Sequence, residues 1–299
     1  MITFCLSTFN NLEYLKWAVK SVRENSFHKD APFVVHAENC TDGTNEWLEQ
    51  VKNEYNLEIY IEPKVEPARG IGGGMNFCAD KVKTEYIIFL QSDFYVAKNF
   101  DTFLLKEIIA TTKPTVVSSW RIQPNMFGNP PQKPGNIFLP KKTFGAYWND
   151  FKPEAFLEYA NLVSETNNVQ IRRGEGAGGF IIRKKDWDYI GGNDSRYAPT
   201  SWEDMDLFVR MQNEGFEFIQ TTTSIIWHFA GRGSHRLEEN NGQSSDRQKQ
   251  TEVKNAVKFL NKWGKMPRFD QNDFVLPIEN PSVKNRMNYD IINNTSYYI

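Results

Sequence analysis

Cysteine is scarce in this chain. Cys5, Cys40 and Cys78 are the only three among 299 residues, an odd number without CxxC spacing. That argues against a disulfide framework or a structural zinc site and for reduced, mostly structural thiols. An excess of one charge sign is missing too. Formal net charge is −2 and no five like charges run together, so the composition offers no electrostatic reason for nucleic acid as a partner. No apolar run approaches the roughly 18 residues that span a bilayer. The opening MITFCLSTFNN has neither the basic start nor the long apolar centre of a signal peptide. The expected location is the cytoplasm, with peripheral association at the inner face of a membrane left open. There is no internal repeat, and the oligomeric state is not written in the sequence.

What is present is an alternating α/β pattern. With 40% hydrophobic and 24% charged residues, the chain can bury one large core. Short apolar runs at 2–7, 32–37, 57–61 and 85–91 read as strands. Amphipathic segments between them read as helices, which together form β-α-β units feeding a mostly parallel sheet. Asn10 or Asn11 is expected to cap the first helix and Thr41 or Asp42 the second. Arg69-Gly70-Ile71-Gly72-Gly73-Gly74 reads as a glycine-rich turn ahead of a short helix. From 121 to 175 the texture turns rich in Pro, Asn and aromatics, which reads as an irregular insert. Regular patterning returns with a strand and short helix at 178–192, a helix beginning at SWEDMDLFVR, a strand over 223–228 and a last helix ending at Gly264. A Pro- and Asn-rich tail with little core pattern closes the chain. The divisions expected are 1–120, 121–264 with the irregular insert, and a tail (265–299).

The run EYIIFLQSD poses the chemical question: a buried strand ends on Asp93. In an open parallel sheet ligands gather at the carboxyl ends of the strands, and a lone carboxylate there calls for a positive partner, with Mg²⁺ or Mn²⁺ the hard cations that suit it. Capping the following turn is an equally common use of such an aspartate. The other strand ends are polar or glycine-rich as well: Ser7-Thr8-Phe9-Asn10, Glu38 through Thr44, and Arg69 through Gly74. Such an edge offers the amides and hydrogen-bonding groups a nucleotide requires. Because the glycines follow the third strand and not the first, a dinucleotide fingerprint fits poorly. Glu203, Asp204 and Asp206 crowd one helix start, where one could act as general base and at least one is explained by the helix dipole. His228 ends a strand as Asp93 does, although an isolated histidine is more often structural.

In this order the segments resemble the GT-A glycosyltransferases of family 2, the large inverting family that includes cellulose, chitin and many bacterial polysaccharide enzymes. ITFCLSTFNNLEYLKWAVKSV resembles the family opening, HAENCTDGTNEWLEQ its VDDGSTDGT element, RGIGGGMNFC its NxGxGGxxNxG segment, and IIFLQSD the strand closed by a DxD motif. GAGGFIIRKKDWDYIGGNDSRY, WEDMDLFVRMQNEGF and IIWHFAG resemble the acceptor half of galactofuranosyl- and rhamnosyltransferase-like members. The resemblance covers about 1–120 and 176–264 and implies that 1–120 is the nucleotide-sugar-binding half and 121–264 the acceptor-binding and catalytic half. It implies a GT-A fold, a single α/β domain with a mostly parallel central sheet flanked by helices and a C-terminal helical extension. It also implies metal-dependent, inverting transfer from a UDP- or dTDP-linked sugar to a glycan or glycolipid hydroxyl.

Carried over residue by residue, the resemblance places Thr8, Phe9 and Glu38 at the nucleotide base and ribose, with Arg69, Gly70, Gln91 and Ser92 nearby. Asp93 and His228 would hold Mn²⁺ or Mg²⁺. Asp204 would be the base, and Glu203 and Trp202 would meet the acceptor. Two positions depart from the pattern: Gln91 stands where the first DxD acid belongs, and Ala37 replaces the first acid of DDGS. Fewer acidic ligands imply a low-affinity metal site that the donor phosphates complete. A catalytically inactive GT-A-like carbohydrate-binding domain is the alternative, to which the eight Trp, 12 Tyr and 22 Phe would lend stacking surface, although aromatics at this level are more often core. A nucleotidyltransferase is disfavoured because STFNNLEYL is no basic glycine-rich loop.

Overall fold

The computed structural model describes residues 1–126, 132–133, 135–166, 170–173, 179–230, 244–270 and 274–299. β1 (Ile2–Thr8) leads into α1 (Leu12–Asn25), β2 (Phe33–Glu38) into α2 (Thr44–Val51) and β3 (Leu57–Glu62) into α3 (Gly70–Lys81), after which comes β4 (Tyr86–Gln91). These four strands pair in parallel in the order β3-β2-β1-β4. Helices cover both faces, which is why β1 and β4 read as nearly unbroken apolar runs. Phe4, Leu6, Ile88 and Leu90 pack with α1 residues Leu15, Ala18, Val19 and Val22 on one face, while Cys5, Ile87 and Phe89 meet α3 on the other. The three thiols are free and buried, and burial raises the pKa of each.

The remaining elements are β5 (Phe94–Val96), α4 (Phe100–Ile109), β6 (Thr115–Pro124), β7 (Gln132–Lys133), β8 (Asn136–Leu139), α5 (Pro153–Thr166), β9 (Gln170–Arg173), β10 (Phe180–Arg183), α6 (Lys184–Ile190), α7 (Glu203–Asn213), β11 (Glu217–His228), α8 (Asp246–Trp263), β12 (Met287–Asp290) and β13 (Thr295–Tyr298). The sheet continues β4-β10-β6-β11-β5. β10 lies antiparallel between β4 and β6, β11 runs parallel to β6, and β5 returns antiparallel at the edge. Both halves of the chain therefore share one sheet.

Several details differ from the sequence reading. Among its described residues the segment 121–175 holds the end of β6, β7, β8, α5 and β9, and Phe144, Phe151 and Phe156 from it join Tyr95, Trp120, Trp227 and Phe229 in an aromatic core. Proline and asparagine mask that pattern because Pro124, Asn136 and Asn161 sit within the elements themselves, where such residues are uncommon. β11 starts at Glu217, well before Thr223, and slips register between Thr221 and Ile225. The glycines of 70–74 lie inside α3 and form no turn ahead of it. Neither Asn10 nor Asn11 caps α1 with its side chain; Asp42 reaches across instead, its Oδ2 accepting from the Leu12 N–H at 2.9 Å. Asp42 also serves α2, its Oδ1 accepting from the Thr44 N–H at 3.2 Å.

The tail has its own core. Val275 and Ile278 pack with Tyr197, Val209, Phe259 and Trp263, and burying a side chain such as Phe259 stabilises the fold by about 1.5–3 kcal/mol. β12 and β13 form a hairpin that reaches back to α3. No helix among the described residues is long and apolar enough to cross a membrane.

Candidate active site at the strand ends

β4 delivers the opening aspartate as its pattern demands: Tyr86 through Leu90 are buried, Gln91 emerges, and Asp93 turns back inside. Asn11 Nδ2 donates to Ser92 Oγ at 3.0 Å, tying the start of α1 to this loop. β5 follows at once and pairs with β11 so that Phe94 lies opposite His228. That ladder, together with the Phe229 N–H donating to the Asp93 carbonyl at 3.1 Å, sets His228 Nε2 3.4 Å from Asp93 Oδ2. The other ring nitrogen, Nδ1, is 2.9 Å from Gln123 Oε1 at the end of β6.

A second group forms around α3. Three consecutive glycines let this helix approach its surroundings closely. A Cβ on Gly74 would stand 2.0 Å from Ser7 Oγ, and one on Gly70, whose φ is +67°, would stand 2.2 Å from the Pro199 carbonyl oxygen. Glu38 is buried and its two oxygens accept from the Arg69 N–H (2.6 Å) and the Gly70 N–H (3.0 Å), at the positive end of the helix. Burial raises its pKa against the pull of those two amides. The Arg69 guanidinium turns to Glu62 (2.7 and 2.9 Å) and to Tyr289 Oη (3.0 Å) of the tail hairpin. Glu62 also meets buried His36 at 2.7 Å, and His36 first, then Arg69, pulls its pKa down to about 2. Thr8 is buried with its hydroxyl on the Asn10 carbonyl (2.8 Å), while Phe9 is 48% exposed.

The third group heads α7. Ser201 and Trp202 both hold left-handed backbone, φ +76° and +75°, a cost of about 1–3 kcal/mol each. Asn255 of α8 keeps them there, its Nδ2 donating to the carbonyls of Tyr197, Thr200 and Ser201 at 2.6, 2.8 and 3.1 Å. Trp202 rests on Phe259 with ring centroids 5.2 Å apart. Glu203 is 8% exposed and its Oε2 has no partner; burial, and then the charge of Asp204, push it up to about 8. Its Cγ lies against Gly72 of α3. Asp204 is exposed, its Oδ1 accepting from the Met205 N–H at 2.7 Å; the protein around it still raises its pKa by desolvation, opposed by that amide and then by the charge of Arg121. Arg121 lies two residues before Gln123 on β6. The three groups thus form one rim: Glu38 to α3, Gly72 to Glu203, Asp204 to Arg121, Gln123 to His228 and Asp93.

The Glycosyl transferase family 2 model matches residues 3–173. The chain belongs to that family. The match crosses most of the segment 121–175, which the sequence resemblance had left uncovered. Among solved structures, GalNAc-T7 with UDP, GalNAc and Mn²⁺ is similar over 88% of this chain and 48% of its own, at 16% identity and TM-score 0.61. Residues 1–349 of S. aureus TarS are similar over 77% and 60%, at 14% identity and TM-score 0.51. This family 2 chain therefore spans about half to three-fifths of those neighbours, and what it shares with them is the GT-A fold. No curated protein matches it.

Sequence reasoning missed Gln123, Arg121, Asn255 and Tyr289. Gln123 ends a strand as Asp93 and His228 do, a signal hidden because the irregular texture begins at 121. Tyr289 had no signal, since contact between the tail and α3 is purely tertiary. An open groove of about 490 Å³ between α1, α2 and Trp148 lies apart from all these residues. Among the described residues no group of three or more His, Cys, Asp and Glu could hold a metal ion.

Proposed function

We propose that this protein is an inverting glycosyltransferase that moves a sugar from a nucleotide-diphosphate donor, UDP- or dTDP-linked, to a hydroxyl of a glycan or glycolipid. The observation that carries the reading is the rim itself. An Asp–His pair stands at one end and a pair of carboxylates with raised pKa, one of them lacking a partner, stands at the head of α7. Residues 1–120 hold the donor on this reading, with Thr8, Phe9, Glu38, Gly70, Gln91 and Ser92 around the nucleotide and Arg69 bracing α3 behind it.

Asp93 and His228 fit a divalent cation. One carboxylate oxygen and one imidazole nitrogen suit Mn²⁺ or Mg²⁺, and the two atoms stand 3.4 Å apart. When bound, such an ion would offset the charge of the leaving diphosphate. UDP and Mn²⁺ in GalNAc-T7 support this assignment.

Asp204 then accepts the proton of the acceptor hydroxyl, its raised pKa making it a better base near neutral pH. Glu203, neutral at pH 7 in its buried position, donates its proton in a hydrogen bond to the acceptor sugar, and Trp202 lends that sugar an apolar wall. Because Glu203 stays neutral, the pair carries one negative charge, on Asp204.

Melting temperature against UDP, dTDP, GDP and CMP, each with and without Mn²⁺, tests the reading, since a ligand of the folded state raises it by mass action. A shift for one diphosphate that requires the metal is the expected result, and His228→Ala should raise the Mn²⁺ concentration needed. No shift with any nucleotide would overturn the proposal in favour of an inactive domain.

A further inference from the structure

The Asp93–His228 pair has a third neighbour in Gln123. His228 ends β11 and Gln123 is the last residue but one of its parallel neighbour β6, each one residue beyond the Trp227–Ile122 rung. His228 Nδ1 and Gln123 Oε1 are 2.9 Å apart. A carbonyl oxygen only accepts, so the proton of a neutral ring must sit on Nδ1. That leaves the lone pair on Nε2, the nitrogen that faces Asp93 Oδ2 at 3.4 Å. A histidine without such a partner is free to place its proton on Nε2, which would remove the lone pair from the side where a cation is wanted. The ring is held against rotation as well, its plane edge-on to Phe94 with centroids 5.1 Å apart.

We infer that Gln123 is the positioning residue of the metal site: by accepting from Nδ1 it fixes the His228 tautomer and aims Nε2 at the cation that Asp93 shares. This rests on the proposed metal-dependent reading, but its first consequence is visible without metal. Outer partners of ligating histidines act in this way generally and typically contribute ten- to hundredfold in metal affinity. Glutamate at 123 should serve as well, for it too presents an acceptor, whereas leucine has nearly the same shape and no acceptor.

The chain has four histidines, so ¹⁵N-histidine labelling gives a spectrum in which His228 is assigned by its loss in His228→Gln. In the metal-free protein at pH 8, long-range ¹H–¹⁵N correlations should show His228 protonated at Nδ1 with Nε2 bare. Gln123→Leu should move it toward the Nε2–H form and weaken Mn²⁺ binding, measured with UDP present, by about tenfold or more. Gln123→Glu should restore both. An Nε2–H tautomer in the unaltered protein, or an unchanged tautomer and Mn²⁺ affinity in Gln123→Leu, overturns the inference even if Mn²⁺ binds. If the unaltered protein binds no Mn²⁺ with UDP present, the metal reading fails, and Gln123 with it as a metal-site residue. The first spectrum needs no variant, so a Gln123→Leu protein that failed to fold would not shield the inference.

Discussion

The first turn of α7 carries two kinds of acid. Asp206 is wholly enclosed and fully engaged: Oδ2 accepts from Arg210 Nε at 2.9 Å, and Oδ1 from Lys262 Nζ at 2.6 Å and Trp263 Nε1 at 2.9 Å. Glu203 and Asp204, just before it, are held less firmly: one oxygen of Glu203 has no partner, Asp204 has the Met205 N–H and the charge of Arg121, and both acids have raised pKa values. The sequence presents the three as one cluster, but the neighbours divide them. The engaged acid welds α7 to α8, and the under-satisfied pair stays chemically available. A site pays in stability for such availability, and here the weld beside it supplies the support.

The largest effect that would test this division is Asp204→Asn, which should lower transfer by about 10²–10⁴-fold with donor binding and melting temperature little changed. Asp206→Ala should do the reverse. It leaves the buried charges of Arg210 and Lys262 short of their partner and should cost about 3–5 kcal/mol of stability in urea unfolding. Equal stability losses in the two variants would erase the distinction. Glu203 gives a pH test. Its folded pKa of about 8 lies above the ordinary carboxyl value, so between about pH 4.5 and 8 the folded state binds more protons than the unfolded chain, and stability should fall as pH rises through that window. Glu203→Gln should flatten that slope, and a Gln variant with an unchanged slope would mean that Glu203 titrates normally. The smallest effect is expected at the hairpin, where Tyr289→Phe removes the hydroxyl that accepts from Arg69 and donates to Asn294 and should cost about 1–2 kcal/mol, with amide exchange rising first in α3.

Much of the fold could be read from the chain because β1 through β4 and their helices carry strong periodic signals and end on polar residues. Asp93 and His228 were visible for the same reason, each terminating an apolar strand. What escaped was set by partners distant in sequence. Asp42 caps α1 instead of Asn10 or Asn11 because a loop from the next unit folds over it. The glycines of 70–74 are helical because close packing against Ser7, Asn193 and Pro199, not a turn, requires them. Residues 265–299 looked coreless since their few apolar side chains meet α7 and α8 one at a time. The stretch 231–243, with GRGSHR, and the glycines of 174–178 lie outside the described residues.

The placement of β10 has a consequence for how the chain is made. β4 finds its second neighbour only in residues 180–183, so while the first half emerges during synthesis, the edge of YIIFLQ stands bare with its backbone groups unpaired and strongly apolar. Such an edge templates pairing with other chains. The nascent protein therefore passes through an interval in which its future centre is its stickiest border, and that interval closes only when a strand made long afterwards slides in beside it.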